Sequence, residues 1–325
     1  MKIKRSVSIA TVVCVLFSMS ACESSGVSAG SQDATIPDQV EVIVPWAAGG
    51  GSDNATRQLL LASEKDCKTS FVVSNKTGAA GATGLEAGAR AKNNGKTLTD
   101  VTAEISLLPH LGNTDTSYKD FTPIMRFASI SPAFVVKADS PYKTIQDLAN
   151  AMKAGESVRA GTTGRGGIWD VAAGGFEEEL GAKFTERVPY DGGASIIAAV
   201  LGGHLEVAVL AAPEVLAQVK SGDLRVLAIA DDQRIDVFPD VPTLKESGYE
   251  WSAQTWFGIA GPSGMSDELV KQYGDCLKKG WDSDAYQAFL KDQGYNASYM
   301  NATDFSHFLQ EKYSEFGELI PRIYK

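Results

Sequence analysis

From residue 41 onward, short β-rich runs alternate with helical stretches, and two extended segments, 131–139 and 252–262, interrupt the alternation. Strand, helix, strand in succession predicts parallel pairing, because a parallel connection needs a long crossover, usually helical. The first series reads VEVIVPW ending at Trp46, a helix near Asn54 to Lys65, FVVS at 71–74, GLEAGARAK at 84–92 and an apolar run near Thr97 to Thr102. Between the series, Thr144 caps a helix running to about Lys153. The second series follows as SVRAG (157–161), IWDVAAGGFEEEL (168–180), RVPY (187–190), ASIIAAVLGG (194–203), LEVAVLA (205–211), PEVLAQVKSG (213–222) and LRVLAIA (224–230). Three further helices are expected near 266–281, 283–293 and 302–318. If both extended segments cross between two α/β lobes, residues 39–136 and 253–325 form one lobe and 137–252 the other. Such a clamshell hinges shut on a ligand.

The beginning of the chain carries a different signal. Lys2, Lys4 and Arg5 precede a mostly apolar run from Val7 to Ala21, which ends in small residues before Cys22. Residues 1–22 therefore read as a secretory signal peptide, too short in its apolar part for a membrane-spanning helix. Met19-Ser20-Ala21-Cys22 resembles a bacterial lipobox, which makes Cys22 the lipidated first residue of the mature protein and attaches it to a membrane surface. Residues 23–38 are Ser-, Gly- and Asp-rich and read as a flexible tether. Outside the cytoplasm thiols tend to pair, and Cys67 and Cys276 are then the two that remain, as a disulfide or as two buried thiols.

Composition removes several classes of function. A formal net charge of −10, with no basic run, leaves no face for a phosphate backbone, so no nucleic-acid partner is expected. The three histidines, His110, His204 and His307, stand in no metal or hydrolase motif, and no cysteine pair has metal or redox spacing. No cofactor, metal or catalytic residue is assigned. His204, in LGGHLEV, reads as a turn residue.

Three glycine-rich junctions carry the chemistry. The first is Trp46-Ala47-Ala48-Gly49-Gly50-Gly51-Ser52-Asp53, between a strand and a helix. Glycines let backbone N–H groups approach a guest without a Cβ in the way, and the helix behind adds its positive end. The absence of lysine and the short spacing favour a carboxylate over a phosphate. Asp53 reads as a helix cap rather than a ligand contact. The second junction, Gly161 to Gly167, offers Thr162, Thr163, Gly164 and Arg165. Hydroxyls, amides and a guanidinium suit a carboxylate, although Arg165 also reads as a solvated surface residue. The third, Tyr190-Asp191-Gly192-Gly193-Ala194, repeats the strand-to-helix setting, with Tyr190 either donating its hydroxyl or packing. Facing one cleft at strand C-termini, the three would hold a ligand without presenting a nucleophile and base.

The segments VIVPWAAGGGSDNATRQL, NKTGAAGATGLEAGARA, DFTPIMR, PYDGGASIIAAVLGGHLEVAV and LRVLAIADDQRIDVFPDVPTLKESGYE, in this order, resemble the substrate-binding proteins of tripartite tricarboxylate transporters, the Bug family. The resemblance covers about residues 40 to 320. It implies a two-lobed, periplasmic-binding-protein-like (type II) α/β fold that is not an enzyme. Such a protein captures a small organic carboxylate and delivers it to membrane permease subunits. It further implies that Trp46 to Asp53, Thr162 to Gly164 and Tyr190 to Ala194 hold the ligand.

Two departures bear on the ligand. Where relatives have a Ser/Thr/Gly run, this chain has Val101-Thr102-Ala103-Glu104, with Asp100 beside it, and Thr102 and Glu104 join the candidate site. Two carboxylates ~4 Å apart repel by roughly 4 kcal/mol at intermediate dielectric. So either Glu104 turns away, or the ligand carries an amine or is otherwise not a polycarboxylate. Arg165 and Gly167 likewise replace small polar residues. Alternatives to the transport reading are a ligand-presenting partner of a sensor kinase and an extracytoplasmic hydrolase or transferase.

Overall fold

A computed structural model describes residues 35–324. The signal segment, Cys22 and the tether as far as residue 34 lie outside the described residues. In chain order, the first half holds β1 (Gln39–Val44), α1 (Gly51–Cys67), β2 (Ser70–Asn75), α2 (Ala82–Ala89), β3 (Thr97–Val101), the single turn α3 (Glu104–Leu107) and β4 (Phe121–Ile130). Then come β5 (Pro132–Lys137), α4 (Ile145–Lys153), β6 (Arg159–Thr163), α5 (Ile168–Leu180), β7 (Glu186–Tyr190), α6 (Gly193–Leu201), β8 (Val207–Ala211), α7 (Leu216–Ser221) and β9 (Leu224–Ile229). The chain ends with β10 (Thr255–Pro262), α8 (Asp267–Trp281), α9 (Asp284–Gln293) and α10 (Ala302–Ile323).

The strands form two five-stranded sheets, β2-β1-β3-β10-β4 and β7-β6-β8-β5-β9. Each sheet holds three parallel strands from βα units, then an antiparallel strand that arrives from the other half, then an edge strand. The expected parallel pairing therefore holds for three strands of each sheet. β10 and β5 run against their neighbours because they enter from the opposite lobe. Each sheet is thus completed by a strand that the chain enters straight from the other lobe, and the architecture is the two-lobed α/β fold with two crossings.

The first crossing falls at Ser131, between β4 and β5. Residues 132–136, expected in the first lobe, stand in the second sheet, because β5 pairs with β8 and β9. The two crossings lie side by side. The Ser131 hydroxyl donates to Asp231, Gln254 Nε2 donates to Asp231 Oδ2 (3.2 Å), and Arg126 Nη2 donates to Gln254 Oε1 (3.1 Å).

Local signals explain most elements. Thr144 caps α4 by accepting the Asp147 N–H at 3.2 Å, while Asp147 accepts the Thr144 N–H at 2.9 Å, a reciprocal box. On α8, Leu269, Tyr273, Cys276 and Leu277 are buried, and α8 packs against α1. Cys67, at the end of α1, is bonded to Cys276 of α8. Residues 36–38, expected in the tether, are instead fixed to the first lobe. The Ile36 N–H donates to Gln272 Oε1 (3.3 Å), the Thr69 hydroxyl to the Pro37 carbonyl (2.5 Å) and the Ser70 N–H to the Asp38 carbonyl (2.9 Å).

Candidate functional site

Helix α1 begins at Gly51, a turn earlier than its apolar pattern predicts, so Gly51, Ser52 and Asp53 are its first turn. Helix α5 begins at Ile168 and α6 at Gly193. Each follows the C-terminal end of a parallel strand, respectively β1, β6 and β7, where open α/β sheets bind ligands. First-turn N–H groups have no acceptor within their own helix. All three helix starts border one cavity of about 70 Å³ between the lobes.

Of the residues expected from sequence, Trp46, Ala47, Gly50, Gly51, Ser52, Thr102, Glu104, Thr163, Asp191, Gly192 and Gly193 line that cavity. Ala48, Gly49 and Ala194 line an adjoining groove of about 450 Å³, and Gly164 and Tyr190 another of about 540 Å³. Thr162, Arg165 and Asp53 line none of these. The Thr162 hydroxyl donates to the Thr163 carbonyl (2.9 Å). The exposed Arg165 lays its guanidinium 4.7 Å from the centroid of the Tyr324 ring, away from the cavity. Asp53 is spent on the loop itself, accepting from Gly49 N–H, Arg57 Nε and Asn75 Nδ2 at 2.8–2.9 Å. Burial alone would raise its pKa, but those bonds outweigh it and hold the carboxyl below the usual aspartate range.

The walls add residues that sequence reading missed: Ile130, Ile168, Trp169, Ala211, Glu214, Thr255 and Phe257. Most are apolar positions that a sequence presents as ordinary core. Glu214 is different in kind. It sits in a 3-10 turn after β8, accepts the Gly51 N–H across the cleft at 3.4 Å, and leaves Oε2 without a partner and out of contact with solvent. Its carboxyl fills the space over Gly193, where an added Cβ would lie 1.4 Å from Oε2. Burial pushes its pKa up to about 7.

Glu104 does not turn away. It is 1% exposed, accepts the Thr102 hydroxyl, and reaches the Ile168 N–H at the start of α5 (2.9 Å). Burial raises its pKa, against the lowering effect of the Thr102 and Ile168 bonds. The Ser52 hydroxyl is turned away to the buried Asp100, whose pKa burial pushes up to about 7. Two hydroxyl oxygens of lining residues, Thr163 Oγ1 and Thr255 Oγ1, are buried without partners. Buried polar groups normally find partners, and these two and Glu214 Oε2 have none within the protein. None of the lining residues is a lysine, arginine or histidine. Among the described residues no group of three or more His, Cys, Asp or Glu suits a metal ion.

Residues 55–324 match the profile of the tripartite tricarboxylate transporter family receptor. BugT of Bordetella pertussis is 28% identical over 259 residues, 76% of this chain and 77% of that protein. A TctC solute binding protein from Polaromonas, known from its crystal structure, is 32% identical, with 87% of this chain and 98% of that one covered and a TM-score of 0.69. The periplasmic binding protein BugD is 25% identical, with 88% and 98% covered and a TM-score of 0.82. With the profile spanning most of its length and these receptors sharing its fold, the chain belongs to the tripartite tricarboxylate transporter receptor family, as an extracytoplasmic solute-binding receptor rather than an enzyme.

Proposed function

We propose that the protein captures a small organic acid between its lobes and delivers it to membrane permease subunits, held at the membrane surface by a lipid on Cys22. The observation that carries this reading is the meeting of the α1 and α6 N-termini, one from each lobe, at a single cavity with unpartnered threonine hydroxyls. Helix starts present N–H groups and a positive dipole end to an anion. Glycines 50, 51, 192 and 193 bring that backbone to the cavity wall with no side chain of their own. The residues that hold the ligand in this reading are Gly50 to Ser52, Thr102, Thr163 and Gly192 to Ala194, with Trp46 as a wall.

The test is a thermal-shift screen of monocarboxylates, dicarboxylates, tricarboxylates, amino acids and aromatic acids. Ligation stabilises the folded state by mass action, about 2.7 kcal/mol at a hundredfold excess over the dissociation constant. At least one acid is expected to raise the melting temperature in a saturable way. A panel in which none does contradicts the proposal.

A further inference from the structure

The donors that await an anion in this cleft already face carboxylates of the protein. Glu214 takes the Gly51 N–H and packs over the bare backbone of Gly193, so one side chain sits at the starts of helices from both lobes. Glu104 takes the Ile168 N–H at the start of the third helix. The same cavity has no cationic side chain in its lining. An added ligand carboxylate therefore brings one negative group to the acids already present, in a space where burial weakens solvent screening. A protonated amine does the reverse. It offers a charged donor to the acid that lines the cavity, Glu214. Trp46 and Trp169 add indole rings, which attract cations to their faces. Size agrees as well, because a water-sized sphere needs roughly 10–15 Å³ and the cavity holds only about half a dozen such spheres.

We infer that the ligand carries one carboxylate and one protonated amine, that the amine pairs with Glu214, and that a second carboxylate is excluded. This rests on the receptor reading above and narrows it. The ligand's single acid group goes to the start of α6, where Gly192 and Gly193 line the cavity.

The test compares probes of matched length by isothermal titration at pH 8: β-alanine and 4-aminobutyrate against malonate and succinate, with propionate and butyrate as uncharged-end controls. The amino acids are expected to bind at least tenfold more tightly than the diacids. Glu214→Gln is expected to shrink that preference at least tenfold with an unchanged circular dichroism spectrum. If the variant does not fold, the wild-type ratio decides alone. A diacid that binds as tightly as its amino counterpart overturns this inference and leaves the receptor reading standing, as does a folded Glu214→Gln protein that keeps the preference. Silence of these probes, with silence of the wider acid screen, overturns both. Silence of the amino probes beside a binding di- or tricarboxylate overturns the inference alone.

Discussion

Glu214 and Asp100 are acids that the fold holds against their ordinary ionisation, and that has a consequence for stability. Burial pushes both pKa values up to about 7, above the usual carboxylate range near 4. A carboxyl with a raised pKa in the folded state stabilises the fold fully below its unfolded pKa, and that contribution is lost as pH rises through the folded value. For Glu214 the swing is on the order of 3 kcal/mol. Urea unfolding of the wild type between pH 5 and 8 is therefore expected to show stability falling as pH rises, with a visibly shallower fall in Glu214→Gln. Parallel profiles for the two proteins contradict this assignment. Glu104 was legible through the resemblance, because it stands where the resembled family has a Ser/Thr/Gly run. Glu214 was not, because PEVLAQVKSG reads as an ordinary helix, and only the cross-cleft bond to Gly51 distinguishes it.

At the scale of elements, α10 does more than close the chain. It packs against β4 of the first sheet and against α5 of the second lobe. Just past its end, the Tyr324 hydroxyl donates to Asp170 and accepts the Gly166 N–H (3.2 Å). Its ring lies beneath Arg165 and Arg187, whose guanidiniums stand 4.7 and 5.3 Å from the ring centroid. The C-terminal helix thereby holds the loop that leads from Thr163 into α5. Tyr324→Phe removes both hydroxyl bonds, at a cost of about 1–2 kcal/mol in stability. Ligand affinity is expected to fall several-fold in the same variant, measured by titration well below its melting temperature. Lost stability with unchanged affinity limits Tyr324 to a structural role. Most elements were readable from periodicity and caps, α5 to the residue. β4 was not, because Pro123 and Arg126 interrupt its apolar pattern, and Arg126 is buried where it joins the network between the two crossings. The reversed direction of β5 and β10 was equally hidden, since direction depends on which sheet a strand enters.

The molecule as a whole is built from one plan used twice, with the same strand order in both sheets and two adjacent strands of chain between them. Two adjacent crossings between separate sheets are the layout in which hinge closure around a ligand is the expected motion. The disulfide between Cys67 and Cys276 ties α1 to α8 at the end of α1 opposite Gly51, some 25 Å from it at 1.5 Å per residue, so it braces one lobe without touching the cavity. The three glycine-rich helix starts that border the cavity were readable in the sequence, because they depend on βα rhythm and glycine placement. The acid count inside the cleft did not, because it depends on which side chains meet across it. The central claim is that backbone amides from both lobes close on one small acid. A crystal structure of the protein with the acid that gives the largest thermal shift tests it most directly. The account predicts that ligand between Gly50–Ser52, Thr163 and Gly192–Ala194, with its carboxylate on helix-start N–H groups; a ligand seated outside the cleft, or touching only one lobe, contradicts it.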